Sequence, residues 1–166
     1  MKRVIGFDPG FAIVGYGVLD YEDFRNVRVV DYGVITTPKE ESFPVRLAML
    51  EEGLNKIYAK YKPEEIAVEE LFFTKNITTG IPVAHARGVI LVSAVKYCGK
   101  LYEYTPMQIK QALTGYGKAD KVQMMHVVTS LLHLNKIPRP DDAADALAVA
   151  LCHAHTNRFG DMFGIK

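Results

Sequence analysis

The sequence predicts one α/β domain whose core is a single mixed sheet flanked by helices. Short apolar segments of strand character alternate with longer segments of helical period, in the order β-β-β-α-β-α-β-α-α-α. A chain of 166 residues has the usual length of one domain and can bury a sizeable core. Its composition, 49% hydrophobic and 23% charged, is that of an ordinary globular protein rather than a disordered or fibrous one.

The first three predicted strands lie close together in the sequence. They cover residues 4–8, 15–20 and 27–37, and the polar turn at 21–26 joins the second to the third. Connections this short favour hairpins. The first three of the five predicted strands are therefore expected to be antiparallel.

Helical and extended patterns alternate through the rest of the chain. Between residues 43 and 61 the apolar side chains recur with helical period, and Pro63 follows. The later elements are predicted as strands at 66–70 and 101–104 and as helices at 81–97, 106–113, 118–134 and 141–155. The end of the chain has an irregular pattern, which divides it into a domain at 1–156 and a tail at 157–166.

The helix predicted at 81–97 is apolar on more than one side. One face collects small and apolar residues, namely Ala84, Gly88, Leu91, Val92 and Val95. Val89 and Ile90 add apolar surface outside that face. A helix that is apolar nearly all round must bury its second face, and in a small domain another subunit is the ready partner. The sequence therefore predicts a two-fold homodimer, without deciding whether Val89 or Ile90 faces outward.

Four acidic residues stand among apolar or small neighbours. Asp8 and Glu69 end apolar strands, and Pro9 holds Asp8 extended, while Asp142 and Asp145 open an alanine-rich helix. Buried carboxylates are costly unless a positive group compensates them, and a hard divalent cation prefers oxygen ligands. The four acids are therefore predicted to form a phosphoryl-transfer site around two Mg²⁺ ions that lie roughly 3.5–4 Å apart.

Each acid also has a structural interpretation. Asp8 suits an Asp-Pro-Gly turn, and Glu69 and Glu70 suit a strand end with two solvated carboxylates. Neighbours on a strand point to opposite faces, so only one of these two glutamates can join Asp8, and the residues alone do not choose between them. The two helical aspartates share a face and can cap free N–H groups, although Asp141 could do that alone.

Charge is unevenly distributed, although the net charge is only +1. Residues 1–71 carry nine Lys or Arg against thirteen Asp or Glu, residues 72–139 carry nine against two, and residues 140–166 carry two against four. A basic middle region predicts a polyanion-binding surface beside the metal site, and a solvated basic helix face is the alternative. The candidate nucleic-acid contacts are Phe72, Phe73, Lys75, Asn76, Arg87, Lys110, Lys118 and Lys121.

Several of these candidates also suit structural roles. The aromatic pair is typical of insertion between bases or stacking on an unpaired one, although either Phe72 or Phe73 can instead belong to the core. Arg87 lies in an otherwise apolar helix, where partial burial with a carboxylate is the alternative. The three lysines flank a Gly-Tyr-Gly joint that would let them reach phosphates. His153 lies about two turns beyond Asp145, and we expect it to pack in the core.

The sequence indicates a cytoplasmic protein. Cys98 and Cys152 have no metal-binding spacing and are expected to be reduced, buried thiols. Asp8 interrupts the apolar start, so no secretory signal is expected. The longest apolar stretch, at 81–98, is not expected to span a membrane because it contains His85, Arg87 and Lys96.

Five short segments in order resemble the RuvC family of Holliday-junction resolvases. They lie at residues 6–10, 67–72, 86–88, 108–111 and 142–147, with the sequences GFDPG, AVEELF, ARG, QIKQ and DAADAL. Their order and spacing and the chain length match the family from about residue 2 to residue 155. One such motif would be weak, whereas five in order are specific.

This resemblance implies an RNase H-like fold and a Mg²⁺-dependent endonuclease that acts as a homodimer on four-way DNA junctions, with Mn²⁺ as a substitute metal. The family selects Glu69 over Glu70, and its metal-binding acids fall on Asp8, Glu69, Asp142 and Asp145. Its DNA-contacting positions fall on Lys110, Lys121 and Phe72. The resemblance also implies a branch-migration complex, RuvA and RuvB, as partner.

The chain departs from the family in two places. Lys118 stands where some relatives have a small polar residue, and after His155 the tail has only Arg158 and Lys166 as bases. Two other functions stay open on the sequence: a junction-binding scaffold whose acids are structural, and a related nuclease that acts on another nucleic acid. An ATP-using phosphotransferase also fits a strand-Asp-Gly loop, but that class usually needs two such domains.

Overall fold

The computed structural model of the chain describes residues 1–71 and 77–156. Its elements are β1 (Lys2–Asp8), β2 (Ile13–Asp23), β3 (Asn26–Thr36), α1 (Phe43–Tyr61), β4 (Glu65–Glu69), α2 (Ile77–Tyr97), β5 (Leu101–Tyr104), α3 (Pro106–Thr114), α4 (Lys121–Leu131) and α5 (Asp141–Thr156). Their order is the predicted one. Most predicted bounds lie within a few residues of the observed ones.

The predicted bounds of α4 are wrong at both ends. The sequence predicts this helix at 118–134, whereas it begins at Lys121 and ends at Leu131. Asp120 sets the start, because its carboxylate accepts a hydrogen bond from the N–H of Gln123 and its own N–H donates to the Gln123 side chain. Lys118 therefore precedes the helix, and Lys121 is its first residue.

The five strands form one sheet in the order β3-β2-β1-β4-β5. The first three strands are antiparallel, as predicted, while β4 runs parallel to β1 and β5 runs parallel to β4. Phe7 pairs with Val68, and Asp8 and Glu69 are the next residues of their strands. Parallel pairing thus brings both acids to one edge of the sheet.

Alternate residues of each strand fill two separate cores. On one face, Val4 and Ala67 belong to the cluster that includes α3, α4 and α5. On the other face, Phe7 and Val68 belong to the cluster that includes α1 and α2. Because side chains alternate along a strand, Asp8 follows Val4 onto the α5 face.

Helix α5 lies close to the sheet because glycines stand beneath it. A Cβ on Gly15 would lie 2.5 Å from the carbonyl carbon of Asp142, and a Cβ on Gly6 would lie 2.6 Å from the backbone nitrogen of Ala150. These obstacles are backbone atoms, which cannot move aside as a side chain can. Glycine at these positions therefore lets the helix backbone lie directly on β1 and β2.

The structure decides which apolar side of α2 faces the core, and neither Val89 nor Ile90 faces outward. Ala86, Ile90 and Ala94 are at most 1% exposed and pack inward, whereas Val92 and Val95 are 55% and 60% exposed. The inward residues recur every four positions, as one stripe of a helix does. The sequence could not identify this stripe because both sides of the helix are apolar.

Two other expectations concern the whole chain. Cys98 and Cys152 are both free, although only Cys152 is fully buried. Within the described ranges, no helix combines the length and the apolar character needed to cross a membrane.

Candidate active site

The two strand-end acids lie side by side on the α5 face of the sheet. Asp8 ends β1 and Glu69 ends β4, and these strands are neighbours. Ala67, two residues before Glu69, packs in the α5 cluster, so Glu69 points to the same face. Strand alternation turns Glu70 the other way, where its carboxylate acts on Arg87 of α2. The fold therefore places Glu69, and not Glu70, beside Asp8.

The first turns of α5 bring two further acids to this edge. Gly15 is the register partner of Asp8, and the backbone of Asp142 lies directly over Gly15. Asp145 lies one turn further along the same face of the helix. Two strand ends and one helix start therefore converge on one small region.

The electrostatics of the acids show how close they are. Burial is the largest cause that raises the pKa of Asp8 well above its ordinary value, and the carboxylates of Glu69, Asp145 and Asp142 raise it further. Burial, the largest cause, and Asp145 likewise raise the pKa of Glu69, against the opposing effects of the hydrogen bond with Asp8 and of two lysines. Burial also raises the pKa of Asp145. These groups are held together against their mutual repulsion, as the ligands of a bound cation are.

A cavity of about 240 Å³ opens beside these acids. Its acidic and basic walls are Glu69, Asp145, Lys110 and Lys121, and its apolar walls include Met124. Lys110 comes from α3, and Lys121 is the first residue of α4. Because α4 begins at Lys121, this lysine lines the cavity, whereas Lys118 lies in the connection before the helix. The cavity thus combines anionic groups, which suit a metal ion, with cationic groups, which suit a phosphate.

Lys121 is also paired with α5. Its Nζ lies 3.3 Å from Oδ2 of Asp145 and 3.5 Å from Oδ2 of Asp141. Asp141 additionally pairs with Arg139 through its other oxygen. The sequence indicated only a capping role for Asp141, because nothing in the spacing of α4 and α5 showed that they meet.

Comparison with known proteins identifies the family. The sequence matches the family described as Crossover junction endodeoxyribonuclease RuvC over residues 4–153. The chain belongs to the RuvC family. The protein of that name from Alkaliphilus oremlandii is 51% identical over 163 residues, covering 98% of this chain and 99% of the relative. The one from Finegoldia magna is 50% identical over 157 residues, covering 95% of each.

Solved structures agree with this membership. The RuvC of T. thermophilus in complex with Holliday junction substrate superimposes with a TM-score of 0.92 and 34% identity, covering 99% of this chain and 100% of the other. A yeast mitochondrial Holliday junction resolvase, Ydc2, shares the fold at 17% identity and a TM-score of 0.69, covering 92% of this chain and 78% of the other. The predicted RNase H-like fold, with its five-stranded mixed sheet, is confirmed.

The acids of this RuvC-family chain have the chemistry of a divalent-metal site. All four candidate ligands are carboxylates, and burial together with nearby carboxylates raises the pKa values of Asp8, Glu69 and Asp145. Among residues 1–71 and 77–156, no three acidic, imidazole or thiol side chains stand in a ready metal-binding arrangement. The present contacts are the hydrogen bond between Asp8 and Glu69 and the ion pair between Asp145 and Lys121. The donor set therefore fits Mg²⁺, provided that these contacts are exchanged for the metal.

Other candidate residues lie apart from the cavity or outside the described residues. Arg87 is largely buried in α2 and pairs with Glu103 of β5, which is the structural role considered for it. Lys118 is exposed in the connection between α3 and α4. The predicted contacts at Phe72, Phe73, Lys75 and Asn76 and the tail at 157–166 lie outside the described residues.

His153 lies away from the acids, in the core, as expected. Its Nε2 lies 2.9 Å from Oε2 of Glu65, and its Nδ1 lies 2.8 Å from the hydroxyl of Tyr104. Burial acts to raise the pKa of Glu65, but hydrogen bonds with His153, Tyr21 and Lys2 outweigh burial and lower it to about 2. This buried network ties the last turns of α5 to β2, β4 and β5.

Sequence reasoning missed the glycines that let α5 approach the sheet. Gly6 lies inside β1, and Gly15 and Gly17 lie two residues apart inside β2. All three face the backbone of α5. Alternate glycines on a strand are the available signal, since a glycine inside a strand often marks a close backbone approach. Without Gly15, the first turn of α5 could not reach Asp8.

Proposed function

We propose that this chain is a structure-selective endonuclease that resolves four-way Holliday junctions by divalent-metal-dependent hydrolysis of phosphodiester bonds, in recombination and repair. The observation that carries the proposal is the convergence of four carboxylates in a RuvC-family fold, two of which, Glu69 and Asp145, line one cavity together with two lysines. The T. thermophilus relative, whose fold matches over nearly the whole chain, was solved with a Holliday junction substrate.

The carboxylates of Asp8, Glu69, Asp142 and Asp145 are proposed to hold two Mg²⁺ ions, with Mn²⁺ as a substitute. When bound, such a pair activates a water molecule and stabilises the leaving oxygen. The chain's own contribution is to hold four acids close together at one edge of the sheet, and metal binding requires their deprotonated forms. Folding thus supplies a group of carboxylates whose mutual repulsion a bound divalent cation would relieve.

Lys110 and Lys121 are proposed to bind the phosphate that is cut. Both line the cavity next to Glu69, and an ammonium there offsets the charge of a phosphate drawn into an acidic site. Lys118 is proposed to contact the DNA backbone outside the cavity. The assignments of Phe72, Phe73, Lys75 and Asn76 to junction contact rest on the sequence, and the ion pair with Glu103 makes Arg87 a weaker candidate.

A homodimer is proposed to present two such sites to one junction. A four-way junction has two-fold symmetry and needs paired cuts, which a two-fold dimer supplies. The outward face of α2 supports this proposal, because Ile81, Val92 and Val95 are each more than half exposed on one helix. Exposed apolar patches of this kind are typical of protein interfaces.

The cellular setting is proposed by family membership. RuvA and RuvB, the branch-migration complex, are the expected partners, and the cytoplasm is the expected location. The free Cys98 and Cys152 are consistent with a reducing compartment.

The experiment compares Glu69→Gln with Glu70→Gln, which are the same change at adjacent residues. Each variant is incubated with labelled four-way junction, linear duplex and single strand, with Mg²⁺ or with a chelator. We expect Glu69→Gln to lower the rate of junction cleavage by at least about a hundredfold, since each ~1.4 kcal/mol of barrier is tenfold. Glu70→Gln should cut within about threefold of the parent rate, because it lies outside the metal site.

Two results would contradict the proposal. Parent-like cleavage by Glu69→Gln would contradict the assignment of Glu69 to the metal site. Junction binding by the parent without any Mg²⁺-dependent cutting would favour a binding scaffold instead.

A further inference from the structure

Lys121 is shared between two carboxylates of α5. Its Nζ lies 3.3 Å from Asp145 and 3.5 Å from Asp141. Both distances exceed the roughly 2.7–2.9 Å of a tight charge-assisted hydrogen bond. Neither carboxylate therefore binds the ammonium group alone. A small movement of the Lys121 side chain would let it form a tight ion pair with either Asp141 or Asp145.

Helix geometry sets up this sharing. Asp141 and Asp145 are four residues apart on α5 and lie on one face, opposite the start of α4. Asp145 lines the cavity together with Glu69, whereas Asp141 lies outside the cavity wall formed by the described part of the chain. The second oxygen of Asp141 accepts a hydrogen bond from Arg139, which fixes the orientation of this carboxylate. Asp141 is thus an anchored acceptor just outside the site.

The arrangement places two demands on Asp145. In the proposed metal site its carboxylate contacts a divalent cation, but in this structure it contacts an ammonium. Two cations on one half-buried carboxylate repel each other, and the repulsion is stronger than in water. A bound metal ion would therefore weaken the pair between Lys121 and Asp145 and favour a second partner for Lys121, and Asp141 is already within its reach.

We propose that Asp141 is a positioning residue that takes Lys121 from Asp145 when the metal binds. It frees the metal ligand and keeps the ammonium at the mouth of the cavity, where the phosphate arrives. The proposal rests on the proposed function, since it requires the metal site. It predicts that Asp141 affects metal binding only through Lys121.

A double-mutant cycle tests this dependence without DNA or cleavage. The parent, Asp141→Asn, Lys121→Met and the double variant are titrated with Mn²⁺, and the free ion is followed by its EPR signal. We expect Asp141→Asn to weaken Mn²⁺ binding about threefold or more, because Lys121 then competes for Asp145; threefold is within the range of partly exposed ion pairs. In the Lys121→Met background the same change should alter the affinity by less than about twofold.

Two controls accompany the cycle. Asp141→Ser repeats the test with a residue that suits a helix start, so a folding defect of one variant does not decide the result. Glu51→Gln removes an acid of α1 that pairs with Lys96, and it should leave Mn²⁺ binding unchanged.

The outcomes separate this inference from the proposed function. Equal losses for Asp141→Asn with and without Lys121 would mean that Asp141 attracts the cation only by its charge, and the positioning role would be overturned alone. If Asp8→Asn left the Mn²⁺ affinity of the parent unchanged, the metal site itself would be wrong, and the inference would fail with it.

Discussion

Replacing Gly15 by alanine should slow junction cleavage about a hundredfold without removing any catalytic group. The added Cβ would lie 2.5 Å from the carbonyl carbon of Asp142, whereas ordinary van der Waals contact begins at 3.4 Å. The distance to this carbon alone requires the first turn of α5 to retreat by about 0.9 Å, and the still closer carbonyl oxygen of Asp142 requires more, so Asp142 and Asp145 move away from Asp8. A displacement of about 1 Å in a catalytic constellation can cost about a hundredfold in rate.

The assay is single-turnover cleavage of a labelled junction in excess Mg²⁺, with binding measured separately in chelator. Binding should change little, because Lys110 and Lys121 belong to other helices. Thermal or denaturant unfolding should show a loss of about 1–3 kcal/mol, as expected for overpacking. Gly33→Ala is the matched control: it makes the same change on β3, but its new Cβ would meet the hydroxyl end of the Tyr16 side chain, which can move.

A cleavage rate for folded Gly15→Ala within about threefold of the parent would refute the reasoning. It would mean that the close approach of α5 to β2 does not set the positions of the acids. Gly17→Ala gives a graded check, because its Cβ would lie 2.8 Å from the backbone nitrogen of Leu147 and requires a smaller retreat. Its cleavage defect should therefore be smaller than that of Gly15→Ala.

The remaining predictions concern charge, the proposed dimer and the buried network. Asp8→Asn should abolish cleavage yet raise the melting temperature of the metal-free protein at about pH 8. Because folding raises the pKa of Asp8, the ionisation of this carboxyl lowers the stability of the parent as pH rises. The increase in melting temperature should therefore vanish near pH 4 or below, where Asp8 is protonated in both the folded and the unfolded state. Ile90→Glu should unfold the subunit, since it buries a charge, whereas Val92→Glu should give a folded monomer by sedimentation. A folded Ile90→Glu protein would contradict the core position of Ile90, and a dimeric Val92→Glu protein would contradict the proposed interface. His153→Ala should cost about 3–5 kcal/mol in denaturant unfolding by leaving Glu65 short of a buried partner, while the cleavage rate per folded molecule stays near that of the parent.

Local patterns in the sequence determined most of the element order and the candidate acids. Strand and helix periods depend on neighbouring residues, so the five strands and five helices could be predicted in order. The carboxylates were conspicuous because they interrupt apolar segments. The family motifs chose Glu69 over Glu70 by resemblance, whereas strand alternation in the folded sheet gives the physical reason for that choice.

The sequence could not determine which surfaces meet. The sequence left the inward stripe of α2 undecided because Ile90 and Val92 are equally apolar, and only packing against the sheet and α1 distinguishes them. Asp141 and Lys121 are twenty residues apart, and their ion pair depends on how α4 and α5 pack.

Asp8 and Gly15 show which features depend on neighbouring residues and which depend on tertiary packing. That Asp8 ends a strand follows from its own neighbours, since an apolar segment and Pro9 fix the local backbone. That Asp8 meets Asp142 follows from Gly15, whose missing side chain leaves room for the helix backbone. The sequence of a short segment thus determines its residue types and its local conformation. The distances between the four acids depend instead on the packing of segments that are far apart in the sequence.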